Sequence, residues 1–394
     1  MLPLENVKVL DLTRVLSGPY ATMILADMGA DVLKIEMPKI GDDSRAYGPF
    51  INGESAYFMS INRNKRSMTL NLKTEEGKEI LRKLIKEADV IVENYKPGTM
   101  EKLGFGYEEI KKMNDRIIYA ACSGFGHSGP YSKRPAYDAI VQAMGGIMSI
   151  TGPESGEPIR VGASIGDIIA GIFTAVGILT ALYNREKTGK GQKIDVAMLD
   201  CQVAILENAI ARYLVSGEIP KPIGNRHPSI TPFETFDTKD DKIMIAIGND
   251  RLWAKFCSMV GREELINDER FVTNQLRTKN HKEIKEVVSE ILKAETADYW
   301  LERFDKEDIP ATRINTIDKV VSNPQVLARD MIVSVDHPVV GDFKMAGIPV
   351  KLSETPGEIR KPAPVLGEDT EDVLANVLGY SKDEIEQLRE KGVI

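Results

Sequence analysis

Residues 7–37 constrain the fold more than any other stretch. "VKVLDLT" (7–13) is an apolar, β-branched run, "GPYATMILADMGA" (18–30) has helical character, and "DVLKIEM" (31–37) reads as a second strand. Strand, helix and strand in succession make a βαβ unit, whose two strands lie parallel in one sheet. The alternation continues with a helix around 75–87, "DVIVEN" (89–94) as a strand, a helix around 107–113 and "RIIYAACS" (116–123) as a strand. Helices near 136–149 and 165–185 precede the strand-like "QKIDVAML" (192–199) and a long helix to about 215. This pattern predicts an open, Rossmann-like parallel α/β sheet.

At 394 residues the chain exceeds what one ordinary core supports, so two or three domains are expected. The texture changes at 216, where "SGEIPKPIGNRHPSITP" (216–232) has the Pro, Gly and Ser content of a linker. "FETFDTKDDKIMIAIG" (233–248) reads as a hairpin, and charged amphipathic helices follow to about 320. The expected division is a large α/β domain over 1–215, the linker, a smaller α+β domain over 233–325, and a return over 326–394. That return comprises a Pro-rich strap and two short helices packing on the large domain.

Lys and Arg number 51 against 59 Asp and Glu, a net charge of −8, and no like-charged block stands out. A nucleic-acid partner therefore has little support. The amino terminus lacks the pattern of a signal peptide, and Cys122, Cys201 and Cys257 read as buried thiols in a reducing cytosol. Residues 168–183 carry no charge, but sixteen residues fall short of the roughly 20 needed to span a bilayer. A buried helix and no membrane partner are expected. The four histidines show no metal-ligand spacing with one another or with Cys or Asp, so no metal is expected.

A G-x-G-x-x-G occurs at Gly124, Gly126 and Gly129, after a strand as a dinucleotide fingerprint requires. Pro130 and Pro135 follow where the phosphate-binding helix would begin, and the first βα turn has a single glycine. Glu36 alone then says little about a ribose site. His127 reads as a solvent-facing loop residue. Arg63, Lys65, Arg66 and Lys73 are open to two readings, a solvated turn before an edge strand or a patch for phosphates. Asn94, Tyr95, Lys96 and Lys102 follow a strand end, the side on which open α/β sheets bind ligands.

Asp167 heads the apolar run in "VGASIGDIIAGIFTAVG" (161–177). "SIGD" has the spacing of a capping box between Ser164 and Asp167. The same helix end would keep a carboxylate ionised in a dry setting and make it a candidate nucleophile. Gly162, Gly166 and Gly171 would leave room for a substrate to approach.

The chain resembles the class III CoA-transferases, among them formyl-CoA transferase and crotonobetainyl-CoA transferase. The resemblance spans essentially the whole chain and rests on "VKVLDLTRVLSGPYATMILADMGADVLKIE", "NRNKRSMTLNL", "ADVIVENYKPGTMEKLG", "SGFGHSGPYSKRPAYD", "IGDIIAGIFTAVGILTAL", "KTGKGQKIDVAMLD" and "PVLGEDTEDVL" with the later "LGY". It implies that Asp167 is the nucleophile and forms an aspartyl-CoA thioester, with CoA and acyl-CoA as substrates, a small carboxylic acid as acceptor and no permanent cofactor. By the same resemblance Val15, Leu16, Ser17, Leu70, Asn71, Lys73, Asn94, Tyr95, Lys96, Lys102, Arg134 and Tyr137 contact CoA. Tyr57, Tyr137, Asp138, Gly248 and Asn249 correspond to the acyl pocket. Leu16 and the "GND" at 248–250 depart from the formyl-CoA branch, which argues against oxalate as the acceptor. The α-methylacyl-CoA racemases of the same fold are the alternative, but they carry a histidine where this chain has Tyr137. The family's homodimers are interlocked, and the linkers at 216–232 and 350–366 suit that topology.

Overall fold

The computed structural model describes residues 1–394, which divide into two compact units. The larger comprises Met1–Met148, Arg160–Glu218 and Gln325–Ile394; the smaller comprises Ser149–Ile159 and Ile219–Pro324. Residues 149–159, expected in the large domain, thus pack within the smaller unit.

The larger unit is built on β1 (Lys8–Asp11), β2 (Asp31–Glu36), β3 (Lys65–Thr69), β4 (Val90–Glu93), β5 (Ile118–Ser123) and β6 (Lys193–Ala197). They form one sheet in the order β3-β2-β1-β4-β5-β6, every pair parallel. That is the doubly wound order, and its switch point lies between β1 and β4, where Val9 pairs with Val90 and Asp11 with Val92. Both faces are covered. Leu10, Leu33, Ile35 and Ile91 pack on one side, whereas Val9, Val32, Val90 and Val92 pack on the other. This two-sided burial is why the strands read as continuous apolar runs rather than alternating ones.

Four helices of this unit matter for the site. These are α1 (Ser17–Asp27), α2 (Ala56–Ile61), α3 (Asp138–Met144) and α4 (Ile165–Thr188). At 24 residues α4 outruns its sequence-based bounds and is long and apolar enough to cross a membrane. Gly166, Ala170, Gly171, Thr174 and Ile178 are buried, and Arg185 near its end pairs with Asp89 at 2.8 Å. The opposite face is not buried as expected: Ile172, Phe173, Val176, Leu179 and Tyr183 are all exposed, Val176 by 50%. The long helix expected after β6 is two, Met198–Ile205 and Glu207–Ser216, broken where Glu207 takes φ +30°.

Residues 325–394 belong to this unit. A hairpin of Ile332–His337 and Gly341–Ala346, not foreseen from the sequence, precedes the extended strap. Val373, Leu374, Ile385, Leu388 and Val393 then complete the core on one face of the sheet.

The smaller unit has three antiparallel strands, Phe233–Asp237, Lys242–Ala246 and Ala311–Arg313, with the middle one central. Its core gathers Ile243, Ile245, Trp253, Phe256, Phe271, Trp300 and Phe304. Arg277 is wholly buried there and donates to the Thr231 and Phe271 carbonyls at 2.8 Å each.

Candidate functional site

Asp11, the last residue of β1, anchors the turn at the switch point. Its Oδ1 accepts the Thr13 N–H at 2.9 Å, and its Oδ2 accepts Thr22 at 2.6 Å and Lys65 at 3.0 Å. The turn leads through Val15 and Leu16 into α1. Val15, Leu16, Tyr20, Met23, Tyr57, Ile61 and Ile168 form one apolar cluster, so two predicted CoA contacts and one acyl-pocket residue converge beside the start of α4.

Asp167 sits in the first turn of α4. It does not form the capping box expected from "SIGD": Ser164 occupies the N-cap position without a side-chain hydrogen bond. The cap comes from 28 residues away, where Asp138 Oδ1 accepts the Gly166 N–H at 2.8 Å. Asp138 Oδ2 accepts Gln142 Nε2 at 2.8 Å and lies 3.7 Å from Arg160 Nη1. Asp138, expected to line the acyl pocket, is buried and has both oxygens engaged.

With its helix end occupied by Asp138, Asp167 is left with the Ser17 hydroxyl as the one group that favours its charged form. Burial raises the Asp167 carboxyl, the neighbouring Asp138 raises it further, and Ser17 opposes them; it titrates at about 7. The sequence-based expectation that the helix end keeps it ionised is therefore reversed, because desolvation and a like charge outweigh one hydroxyl. Tyr57 stands edge-on to Tyr47 at 5.7 Å, and burial, followed by the charge of Asp167, lifts its phenol to about 12.

The glycines around Asp167 serve packing. A Cβ on Gly166 would lie 2.7 Å from Val141 Cγ2, and one on Gly171 would lie 2.7 Å from the Ser17 carbonyl oxygen. Gly171 is what lets α1 and α4 approach. Gly162 alone of the three faces open space.

The segment after β4 closes on the same turn. Asn94 Oδ1 accepts the Arg14 N–H at 2.8 Å, its Nδ2 donates to the Arg14 carbonyl at 2.7 Å, and Ser17 Oγ lies 3.5 Å from that Nδ2. Tyr95 is covered by Arg14 at 5.7 Å, and Lys96 and Lys102 project into solvent.

Other predicted positions are less engaged with Asp167. Leu70 is buried in the core with its N–H bound to the Glu36 carbonyl at 2.7 Å, so it offers no side-chain contact. Asn71 turns toward the carboxyl-terminal segment, pairing with the Gly392 and Val393 carbonyls, while Lys73 is exposed. Arg134 stacks over Tyr131 at 4.1 Å, and Tyr137 is 74% exposed. Gly248 and Asn249 belong to the smaller unit, where Asn249 Oδ1 caps the helix Asp250–Met259 through Leu252 N–H at 2.9 Å.

The phosphate-patch reading fails for three of its four residues. Arg63 pairs with Asp27 at 2.7 Å, Lys65 with Asp11, and Arg66 with Asp369 and Asp372, which spends their charge internally. Glu36 holds Arg45 through both oxygens. His127 does not face solvent: its Nε2 is 3.6 Å from Glu93 Oε1 and its Nδ1 is 3.2 Å from Lys193 Nζ. Burial lifts the Glu93 carboxyl to about 7. Asp42 and Tyr47 bear on the site through contacts with Val15 and Tyr57 that only the fold reveals.

Comparison with known proteins gives a consistent result. The profile of CoA-transferase family III matches residues 4–370. The mouse (Mus musculus) succinyl-CoA:glutarate CoA-transferase is 43% identical over all of this chain and 91% of its own. The acetyl-CoA:oxalate CoA-transferase of Acetobacter aceti is 44% identical over 93% of each. The crystal structure of a CAIB/BAIF family protein from Brucella suis superposes with a TM-score of 0.84 at 39% identity, over 95% of this chain and 99% of that one.

Proposed function

The chain belongs to CoA-transferase family III, and on that premise we propose that it moves CoA from an acyl-CoA donor to a carboxylic acid acceptor through a covalent thioester on Asp167. The observation that carries the proposal is the Asp167 carboxyl itself. It is poorly solvated, titrates at about 7, and lies beside the turn at the switch point of a doubly wound sheet.

The Asp167 carboxylate attacks the donor thioester carbonyl and expels CoA thiolate, leaving an acyl-aspartyl anhydride. The thiolate then attacks the aspartyl carbonyl and releases the donor acid, giving aspartyl-CoA. The acceptor carboxylate attacks that thioester, and the freed thiolate takes the new acyl group, which returns Asp167 to its starting state. Nucleophile and leaving groups are carboxylates and a thiolate throughout, so no resident cofactor enters. Val15, Leu16 and Ser17 are proposed to border the thioester arm. Asn94 and Tyr95 shape the wall beyond β4, and exposed Lys73, Lys96 and Lys102 are available to the CoA phosphates.

The acceptor class is proposed to be a dicarboxylic acid, as the names of the mouse and Acetobacter aceti relatives indicate. Oxalate returns to consideration, since a relative 44% identical is named for it. The racemase alternative would lack one of its two proton-transfer groups, because Tyr137 stands where those enzymes carry a histidine. A homodimer is proposed to cover the exposed apolar face of α4, and the extended segments at 216–232 and 350–366 support an interlocked form. Three buried, unpaired thiols support a reducing cytosol.

The test is to incubate the protein with succinyl-CoA, trap with hydroxylamine or borohydride, and map the modified peptide. An adduct at Asp167 is expected. Its absence, with solvent deuterium entering the α-carbon of a methyl-branched acyl-CoA, would replace transfer by racemisation.

A further inference from the structure

Arg160 opens the segment that leads into α4, and the fold is complete without its guanidinium. The segment itself is fastened by Gln142, which is wholly buried on α3. Gln142 Oε1 accepts the Val161 N–H at 2.8 Å, and its Nε2 reaches the Ala163 carbonyl at 3.4 Å. The same Nε2 donates to Asp138 Oδ2 at 2.8 Å, while Asp138 Oδ1 holds the Gly166 N–H at 2.8 Å. Asp138 is thus satisfied without Arg160, whose Nη1 stands 3.7 Å from that Oδ2 and 3.4 Å from the Val161 carbonyl oxygen. Both distances exceed those of a well-formed N–H···O bond. Half of the Arg160 side chain is exposed, against 11% of the Asp138 side chain. The guanidinium therefore sits on the solvent side of Asp138, one carboxylate's width from the helix end that bears Asp167.

The cations around the Asp11 turn are already committed. Lys34 and Lys65 are fully buried against Asp42 and Asp11, Arg45 is held by Glu36, and Arg14 pairs with Asp43 at 3.4 Å. A substrate that brings a second carboxylate toward Asp138 and Asp167 meets like charge, and needs a cation with unspent donors. A guanidinium fork suits it, because it takes a carboxylate through two parallel N–H···O bonds. We propose that Arg160 is a specificity-determining residue: it binds the free carboxylate of a dicarboxylic substrate, the one that does not react at Asp167. The assignment rests on Asp167 as nucleophile in transfer between carboxylic acids, and it gives the dicarboxylic preference a residue. Asp138 stands behind the guanidinium and keeps it in place. A monocarboxylic acid of equal length has no group to meet Arg160 and loses nothing by its removal.

In the proposed two-stage exchange, kcat/KM for each substrate reports only the half-reaction that consumes it. The experiment measures kcat/KM for succinyl-CoA against butyryl-CoA, and for glutarate against valerate, in the full-length wild type, Arg160→Met and Arg160→Lys. The wild type should prefer the dicarboxylic member of each pair. Arg160→Met should lower kcat/KM about 10–100-fold for the dicarboxylic members, chiefly through KM, and by about threefold at most for the others. Arg160→Lys keeps the charge and loses the fork, so its values should fall between those of Arg160→Met and the wild type. Equal losses for both members of a pair, as loosening of the segment held by Gln142 would give, overturn the proposal. So does a wild type without the preference. If Arg160→Met does not fold, Arg160→Gln is read in its place by the same criteria. Trapping is scored separately: no adduct on wild-type Asp167 refutes the nucleophile, whereas an adduct with unselective kinetics refutes the role of Arg160 alone.

Discussion

Replacing Asp167 by Asn separates what the carboxylate does for chemistry from what it costs the fold. In the folded chain the group titrates at about 7, raised from 3.8 first by burial and then by Asp138. In the unfolded chain it titrates near its ordinary value. Between those two values the unfolded chain has released a proton that the folded chain retains, so stability falls as pH rises through the window and levels off above it. Three pK units at about 1.4 kcal/mol each set a ceiling of about 4 kcal/mol at pH 8. Partial exposure of the carboxylate brings the expected figure to about 2 kcal/mol. Asn removes the charge without removing the cap, since Asp138 is what holds the Gly166 N–H. Asp167→Asn should accordingly be more stable than the parent by about 2 kcal/mol at pH 8 and equal to it near pH 4, while turnover falls by on the order of 10³-fold or more. Guanidinium unfolding of both proteins across that pH range measures it. A variant no more stable at pH 8, or a difference that does not close toward pH 4, would refute the reasoning.

Asp138→Asn keeps an acceptor for Gly166 and deletes the like charge, so the acid limb of kcat/KM should fall by about one pH unit from near 7; an unmoved limb would show that the two carboxyls are not coupled. Gly171→Ala forces a Cβ to within 2.7 Å of the Ser17 carbonyl oxygen and should destabilise by about 1–3 kcal/mol, seen as a lower melting temperature. A wild-type melt would mean that α1 and α4 part without cost. Val176→Asp places a charge on the exposed face of α4 and should convert the proposed dimer to monomers in sedimentation velocity, whereas an unchanged mass would move the interface elsewhere.

The sheet was legible because its strands announce themselves. Val9, Leu10, Val32, Leu33 and Val90 to Val92 face two cores at once, which yields apolar runs that local pattern alone detects. The resemblance located Asp167, and its apolar flank could be read directly. What stayed hidden depends on partners far along the chain. Ser164 and Asp167 have capping-box spacing, yet Asp138 takes the helix end because α3 delivers a carboxylate already buried against Gln142. Arg63 and Lys65 look like a free cationic patch, yet Asp27 and Asp11 lie 36 and 54 residues earlier and meet them only once the sheet has formed. His127 reads as exposed because nothing near it in sequence reveals Glu93 and Lys193 closing over it. Spacing rules describe what a side chain can do locally, and each of these was decided by a competitor from elsewhere.

The reversal at Asp167 also bears on which way the proposed intermediates run. Ordinary carboxylic acids ionise near pH 4, well below the roughly 7 of Asp167. In an acyl-aspartyl anhydride, the thiolate can attack either carbonyl. Attack on the aspartyl carbonyl expels the weakly basic donor carboxylate, while attack on the acyl carbonyl must expel the more basic Asp167. A pK difference of about three units is equivalent to about 4 kcal/mol of overall proton affinity, and a fraction of that appears in the barrier. Partition therefore favours the aspartyl-CoA thioester, and the same preference slows the closing step, in which Asp167 must leave. In the proposed sequence, a buried, like-charged setting thus makes Asp167 a strong acceptor of CoA and a reluctant leaving group. Asp138 is the side chain that shifts the balance, because its charge adds to burial and the helix-end N–H of Gly166 is bound to it instead of to Asp167.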